Sequence, residues 1–167
     1  MKNEMKVGEV SFGPQKSVVL RDGRVAEISR IQKMHENKNI YGECTAVLEG
    51  VKIGSCSYSV CGKASAHIIN IEVNEKLRYN GVGSAMLNYV TIDMLSQGHS
   101  VLATSDYKDY IARFMRKNAY EVRPFRCSDR IDYGFYSKNK EQVERVLEWA
   151  DNLARVPKEK LEEFGFQ

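Results

Sequence analysis

No window of the 167 residues approaches the run of about eighteen consecutive apolar residues that a spanning helix needs. The opening stretch MKNEMKVGEV also lacks an apolar core of signal-peptide length, so a cytoplasmic protein without a membrane partner is expected. The four cysteines, at 44, 56, 61 and 127, show no C-x-x-C spacing, and no histidine is placed to complete a zinc set. No metal is expected, and the thiols read as reduced. Only Cys127 has a basic setting, among Arg123, Arg126 and Arg130, where thiol reactivity competes with the plainer reading of an ordinary thiol in a strand or turn. A large excess of charge of one sign is missing too. A net charge of +3 is too mild to demand nucleic acid, although it suits a polyanionic ligand. No internal repeat or low-complexity linker divides the chain. With 43% hydrophobic residues it is long enough for one filled core and too short for two comfortable domains.

What is present is concentrated between Ala66 and Leu87. An apolar, β-rich run (AHIINIEV) leads through a polar segment (NEKLRYN) into Gly81-Val82-Gly83, where a helical pattern starts. The first turn of a helix carries N–H groups without intrahelical partners, together with the positive end of the macrodipole. Glycines at 81 and 83 let backbone approach a phosphate, and Arg78 can add a charge-assisted hydrogen bond. The segment reads as a pyrophosphate cradle. It is neither a dinucleotide fingerprint, whose third glycine would fall at Met86, nor a Walker A loop, of which the chain has no trace. A plain loop-to-helix turn is the competing reading.

Around this stretch the elements follow in order. Val7 to Phe12 and Val18 to Arg21 are β-prone, and Asp22-Gly23 turns the chain into Arg24 to Ile28 as a hairpin. Residues 29–40 offer the only room for a helix before the next strands, and it would be short. Glu43 to Leu48 and Lys52 to Val60 form a hairpin, Cys61-Gly62-Lys63 turns, and Ala66 to Val73 follows as a third antiparallel strand. Its near-continuous apolar run predicts a central strand covered on both faces. A helix from Gly83 to about Gln97, closed by Gly98, carries Met86, Leu87, Val90, Met94 and Leu95 at core spacing. A strand over 99–105 would then lie parallel to 66–73. Asp109 to Lys117 suits a short helix, and Glu121 to Phe125 and Arg130 to Ser137 suit closing strands. Asn139 and Gln142 make a capping-box-like start for a last helix with an apolar stripe of Val143, Val146, Leu147, Ala150, Leu153 and Ala154. Trp149 falls at the edge of that stripe. The tail from Pro157 suits a short helix or a frayed end.

Val73, then Arg78-Tyr79-Asn80-Gly81-Val82-Gly83, then Leu87 resembles the R/Q-x-x-G-x-G/A signature of the GNAT superfamily of acyl-CoA N-acyltransferases. Ala112 to Tyr120 (ARFMRKNAY) resembles the later family motif A-x-x-F-Y-x-K-x-G-F. Together they cover about the central third of the chain. The resemblance implies an α/β (α+β) fold with a mixed, mostly antiparallel sheet flanked by helices. Residues 1–137 would form the acyltransferase domain, and residues 138–167 a helical extension packed on the same domain or on a second copy as a homodimer. It further implies acetyl-CoA as cosubstrate, held by Ile71 and Val73 backbone on the central strand and by Arg78, Tyr79, Asn80, Gly81, Val82, Gly83 and Ser84 at the cradle. Family members usually spend more residues on helices in the 29–40 region, where these wall one side of the acceptor site.

Acyl transfer to an amine needs a neutral amine, a polarised carbonyl and a stabilised leaving thiolate. Where the central strand bulges or parts from its neighbour, free N–H groups at Ile71 and Val73 supply the second item, which is how the family uses this strand. For the base, His67 lies six residues before Val73, where some members carry a glutamate, and an imidazole suits proton acceptance near neutrality. Simple alternation puts Glu72 on the opposite strand face, where it would bind substrate or pair with a basic side chain. The family's tyrosine acid falls at Met115, a thioether that cannot donate a proton, while Tyr107, Tyr110 and Tyr120 stand nearby in sequence. Three functions stay open. They are an N-acetyltransferase acting on a protein or small-molecule amine in a ternary complex, a catalytically weak or inactive coenzyme-A-binding or protein-interaction module, and, least favoured, a nucleic-acid binder using the basic residues from Lys108 to Arg130.

Overall fold

A computed structural model describes residues 6–61, 65–106, 108–124 and 130–165. The strands are β1 (Val10–Phe12), β2 (Lys16–Val19), β3 (Val25–Met34), β4 (Asn39–Leu48), β5 (Val51–Cys61), β6 (Ala66–Val73), β7 (Val101–Asp106), β8 (Glu121–Pro124) and β9 (Arg130–Phe135). The helices are α1 (Val82–Ser96), α2 (Asp109–Lys117), α3 (Lys140–Glu148) and α4 (Lys158–Glu163). All nine strands join one sheet in the order β1-β3-β4-β5-β6-β7-β9-β8, with β2 also on β3. It is a mixed α/β fold, mostly antiparallel; the parallel pairing is β6 with β7, as a helix between two strands requires.

The hairpins are set by local turn chemistry. Leu20 N–H donates to Arg24 O and Gly23 N–H to Leu20 O around Asp22-Gly23, while Glu49 and Gly50, both at positive φ, turn β4 into β5. The short helix expected within 29–40 is not there. That stretch is β3 to Met34, a turn closed by Lys38 N–H to His35 O (2.9 Å), then β4. Arg30 and Gln32 hide the strand pattern because they are polar residues at inward positions. Arg30 Nε donates to Asp93 Oδ2 of α1 at 2.6 Å, and Tyr58 OH of β5 donates to Gln32 Oε1 at 2.8 Å. Paired in this way, both stay at core positions without an orphaned polar group.

The sheet is covered on one face. Ala26, Ile28, Cys44, Ala46, Cys56, Tyr58, Ala66 and Val101 point into the core shared with α1 residues Val82, Ala85, Met86, Leu87, Val90 and Met94. On the opposite face Glu27, Ser29, Ile31 and Lys33 of β3, Tyr41, Glu43, Thr45 and Val47 of β4, and Ser55, Ser57 and Ser59 of β5 all retain solvent contact. β6 is therefore central in order but covered on one face only, not on both as its apolar run predicts.

The C-terminal segment returns to the core. Asn139 Oδ1 caps α3 by accepting from Gln142 N–H (3.2 Å), but the Gln142 amide does not complete a box. It accepts from Tyr136 N–H and donates to the Ala119 and Gly134 carbonyls, tying β9 to the end of α2. The helix stops at Glu148, earlier than the apolar stripe predicts. Leu147 is 57% exposed, while Leu153, Ala154 and Val156 reach the core as non-helical chain. Among the described residues no helix is long and apolar enough to cross a membrane. Gly62, Lys63, Tyr107, Phe125, Arg126 and Cys127 lie outside the described residues, and with them the expected 61–63 turn and the reactive-thiol reading of Cys127.

Candidate active site

β6 pairs with β7 over three residues only, Ala66–Val101, His67–Leu102 and Ile68–Ala103. Beyond Ala103, β7 continues along β9 as far as the Asp106–Arg130 pair, so the two central strands part at Ile68. The parting coincides with a bulge. Ser57 pairs with Asn70 and Tyr58 with Ile68, which leaves Ile69 as an extra residue in β6. Just past the strand, Asn74 N–H donates to Ile53 O of β5 (2.8 Å). Backbone direction alternates along a strand, so Ile71 and Val73 turn their N–H and C=O groups to the side that β7 has left.

β6 runs directly into the loop that starts α1. Asn74 Oδ1 accepts from Lys76 N–H (3.1 Å), shaping one 3₁₀ turn over Glu75–Leu77. Tyr79 (φ 65°) and Gly81 (φ 92°) are both left-handed, and the first helical bond is Ala85 N–H to Gly81 O. The N–H groups of Val82, Gly83 and Ser84 thus begin the helix without intrahelical acceptors. The loop is braced from the β2–β3 hairpin. Asn80 Oδ1 accepts from Asp22 N–H (3.0 Å), Asn80 Nδ2 donates to Asp22 Oδ2 (2.7 Å), and Asn80 O accepts from Arg21 N–H (3.1 Å).

Several cradle side chains are therefore committed to the protein, which leaves their backbone for a ligand. Asn80 is held by Asp22. Val82 is buried, and the buried Ser84 Oγ accepts from Asn118 Nδ2 of the α2 C-cap (3.3 Å). Gly81 has no room for a side chain, since a Cβ would lie 3.1 Å from both Cβ and O of Ala154. At Gly83 a Cβ would meet Phe114 and Val73 at 3.5 and 3.6 Å, ordinary contact. Arg78 is exposed and forms no ion pair among the described residues, and Tyr79 is 92% exposed.

The bulge also changes the side-chain phase. His67, Asn70 and Glu72 pair with Ser59, Ser57 and Ser55, alternate residues of β5, so all three share the uncovered face. Alternation alone sets Glu72 opposite His67; the extra residue at Ile69 reverses this. Asn70 Nδ2 donates to Glu72 Oε1 at 2.9 Å, and His67 is exposed. Of the tyrosines near the second motif, Tyr120 is in the core. Its hydroxyl is within 2.6 Å of Thr91 Oγ1, and burial pushes its pKa far up, out of reach of solvent-side proton transfer. Tyr110 is exposed, and Met115 is 3% exposed and packed inward.

Residues 12–119 match the Acetyltransferase (GNAT) family. The chain belongs to that family. Among solved structures it resembles the GNAT domain of S. lividans PAT, with a TM-score of 0.61 at 15% identity over 72% of this chain and 96% of that one. It also resembles PaiA N-acetyltransferase from Thermoplasma acidophilum in complex with coenzyme A, with a TM-score of 0.50 at 17% identity over 56% of this chain and 60% of that one. At these identities the likeness is one of fold. No curated protein matches the sequence. Within the GNAT fold this chain has no helix between β3 and β4, where the sequence comparison implies the acceptor-side helices. Two further approaches to the cradle have no spacing rule that connects them to Gly81: Arg21, 58 positions from Tyr79, donates from Nη1 to Tyr79 O (3.3 Å), and Ala154, followed by Arg155, packs against Gly81.

Proposed function

We propose that this GNAT protein transfers an acetyl group from acetyl-CoA to a primary amine by direct attack in a ternary complex. The observation that carries the reading is the alignment of two sets of backbone donors. Unpaired N–H groups of β6 line the gap left by β7, and they lead to the unpaired N–H groups at the start of α1. The α1 amides and Arg78 suit a pyrophosphate, and the gap suits an extended thioester arm. Ile71 and Val73 N–H would donate to that arm and to the acyl carbonyl, where negative charge grows as the amine attacks. His67 takes the ammonium proton, directly or through water. The amine lone pair then forms the C–N bond, the C–S bond breaks to release the thiolate, and the nitrogen's remaining excess proton passes through water to the sulfur, so that coenzyme A leaves as the thiol. Glu72, on the same face and oriented by Asn70, binds the acceptor. The acceptor is a protein or small-molecule amine.

The inward position of Met115 and the burial of Tyr120 favour a second reading, a coenzyme-A-binding module with weak or no turnover. Incubating the chain with acetyl-CoA and a panel of amines and proteins, and following thiol release, separates the two. Acceptor-dependent thiol supports transfer. Tight coenzyme A binding with no thiol above background supports the module, and absence of both removes the cradle assignment.

A further inference from the structure

The segment that follows α3 lies beyond the part of the chain matched by the family, and it passes the cradle at close range. Leu153 O accepts from Asn88 Nδ2 of α1 (2.9 Å), and Asn152 Oδ1 accepts from Val19 N–H (3.3 Å). Ala154 fills the space beside Gly81. Arg155 comes next, in a left-handed conformation (φ 57°) that a residue with a side chain adopts only when its surroundings hold it there. Its guanidinium carbon lies 4.7 Å from the Trp149 ring centroid, and that of Arg145 lies 6.0 Å from the same ring. Arg21 approaches from the β2–β3 hairpin, its Nη1 donating to Tyr79 O of the cradle loop (3.3 Å).

Among the described residues these three cations have no ion-pair partner. Arg155 Nε is buried and has no hydrogen-bond partner. Burial first, then the charges of Arg21 and Arg145, pull the Arg155 pKa below the ordinary arginine value. Like charges gathered at one place with an unfilled buried donor are unfavourable in the free protein, and an anion relieves them.

We infer that Arg155, with Arg21 and Arg145, forms a subsite for the 3′-phosphate on the adenosine of coenzyme A. The inference rests on the acetyl-CoA reading above. With the pyrophosphate on the α1 amides, the 3′-phosphate would be one ribose away, within reach of the residue that follows Ala154, which packs against Gly81. A phosphate monoester offers three acceptor oxygens and up to two charges, which the forked donors of arginine match in shape and sign. The C-terminal segment would thus select among nucleotide thioesters by their far end, leaving the chemistry to β6.

Isothermal titration of the full chain with coenzyme A and with 3′-dephospho-coenzyme A tests this. Charge-assisted hydrogen bonds of ordinary strength predict that the wild type prefers coenzyme A by about tenfold or more. Arg155→Gln should bring the two affinities together by weakening coenzyme A alone, Arg155→Lys should restore part of the preference, and Arg145→Gln, on the exposed turn of α3, should reduce it. Equal affinities in the wild type overturn the subsite while leaving the cradle standing, as does a preference that survives both Arg155→Gln and Arg145→Gln. Failure of the wild type to bind either ligand overturns the acetyl-CoA reading and the subsite with it. The wild-type ratio and the Arg145→Gln result decide the matter even where Arg155→Gln does not fold.

Discussion

Two ion pairs, one on each face of the sheet, have nearly the same length and different surroundings. Arg30–Asp93, at 2.6 Å, joins β3 to α1 under the helices, with side chains 8% and 15% exposed. Lys52–Glu43, at 2.7 Å, lies across β5 and β4 on the uncovered face, at 56% and 46%. The contrast holds along the strands. Cys44, Ala46, Cys56 and Tyr58 are sealed while their neighbours Thr45, Ser55, Ser57 and Ser59 meet water. One face thus carries the stability of the fold. The other retains solvent contact, and the gap beside β6, where the transfer is proposed, lies where the two meet.

The widest separation is expected in turnover. His67 stands on the uncovered face, so His67→Ala should lower kcat by about two to four orders of magnitude, the usual contribution of a general base, and change its pH profile. The melting temperature should hardly move, because the side chain is exposed and has no core contact to lose. A wild-type profile in His67→Ala together with the loss in Glu72→Gln would transfer the role to Glu72.

Next comes the pair of ion pairs. Arg30→Ala leaves the partly buried Asp93 carboxylate without its cation and should cost about 2–3 kcal/mol in denaturant unfolding. Lys52→Ala should cost under about 1 kcal/mol, because solvent screens the exposed pair. Equal losses would mean that the uncovered face is covered in solution, by a second copy of the chain or by another partner.

The cradle lies at the seam and should respond in ligand binding but not in stability. Arg78→Glu sets a negative charge against the pyrophosphate, and it should weaken coenzyme A by about tenfold or more, the scale of one charge-assisted hydrogen bond. Gly83→Leu should do the same by occupying the space beside Phe114 and Val73, while Gly83→Ala, whose Cβ meets only ordinary contacts, should leave the fold intact. Unchanged affinity in both Arg78→Glu and Gly83→Leu, measured by titration, would take the pyrophosphate away from this helix start.

The parts of this molecule that were legible in the sequence are those whose cause is local. Asp22-Gly23, the Glu49-Gly50 turn, the limits of α2 and the start of α1 are written in turn glycines and apolar spacing, and the structure follows them. The second part of β3, from Ser29 to Met34, was hidden because Arg30 and Gln32 look outward-facing until Asp93 and Tyr58 arrive from distant parts of the chain. The bulge at Ile69 leaves no mark in AHIINIEV, since one extra residue in an apolar run changes phase without changing composition. That single residue separates the alternation-based reading of Glu72 from its observed face. Leu153 and Ala154 were recognisable as buried but not as non-helical, because α3 ends at Trp149 without a glycine to announce it. For the same reason Arg155, whose neighbours are tertiary, could not be attached to the cradle from spacing.

The smallest effect concerns the brace between the hairpin and the cradle. The Arg24 guanidinium bonded to Asp22, opposed by partial burial and aided by the Arg24 N–H and the Asn80 amide, holds the Asp22 carboxyl down to about 2. Its folded pKa is thus below the unfolded value of about 4, so the folded state favours the ionised form. The stabilisation is fully present above the unfolded value and is lost as pH falls through the folded one. Solvent screening limits it to less than about 1 kcal/mol. Unfolding of wild type and Asp22→Asn should therefore differ by a constant small amount at neutral pH, and the difference should shrink as the pH falls toward 2 and vanish below it. A difference that grows on acidification would mean that the Asn80 loop is held by something other than this carboxylate, and the seam between the two faces would then need another support.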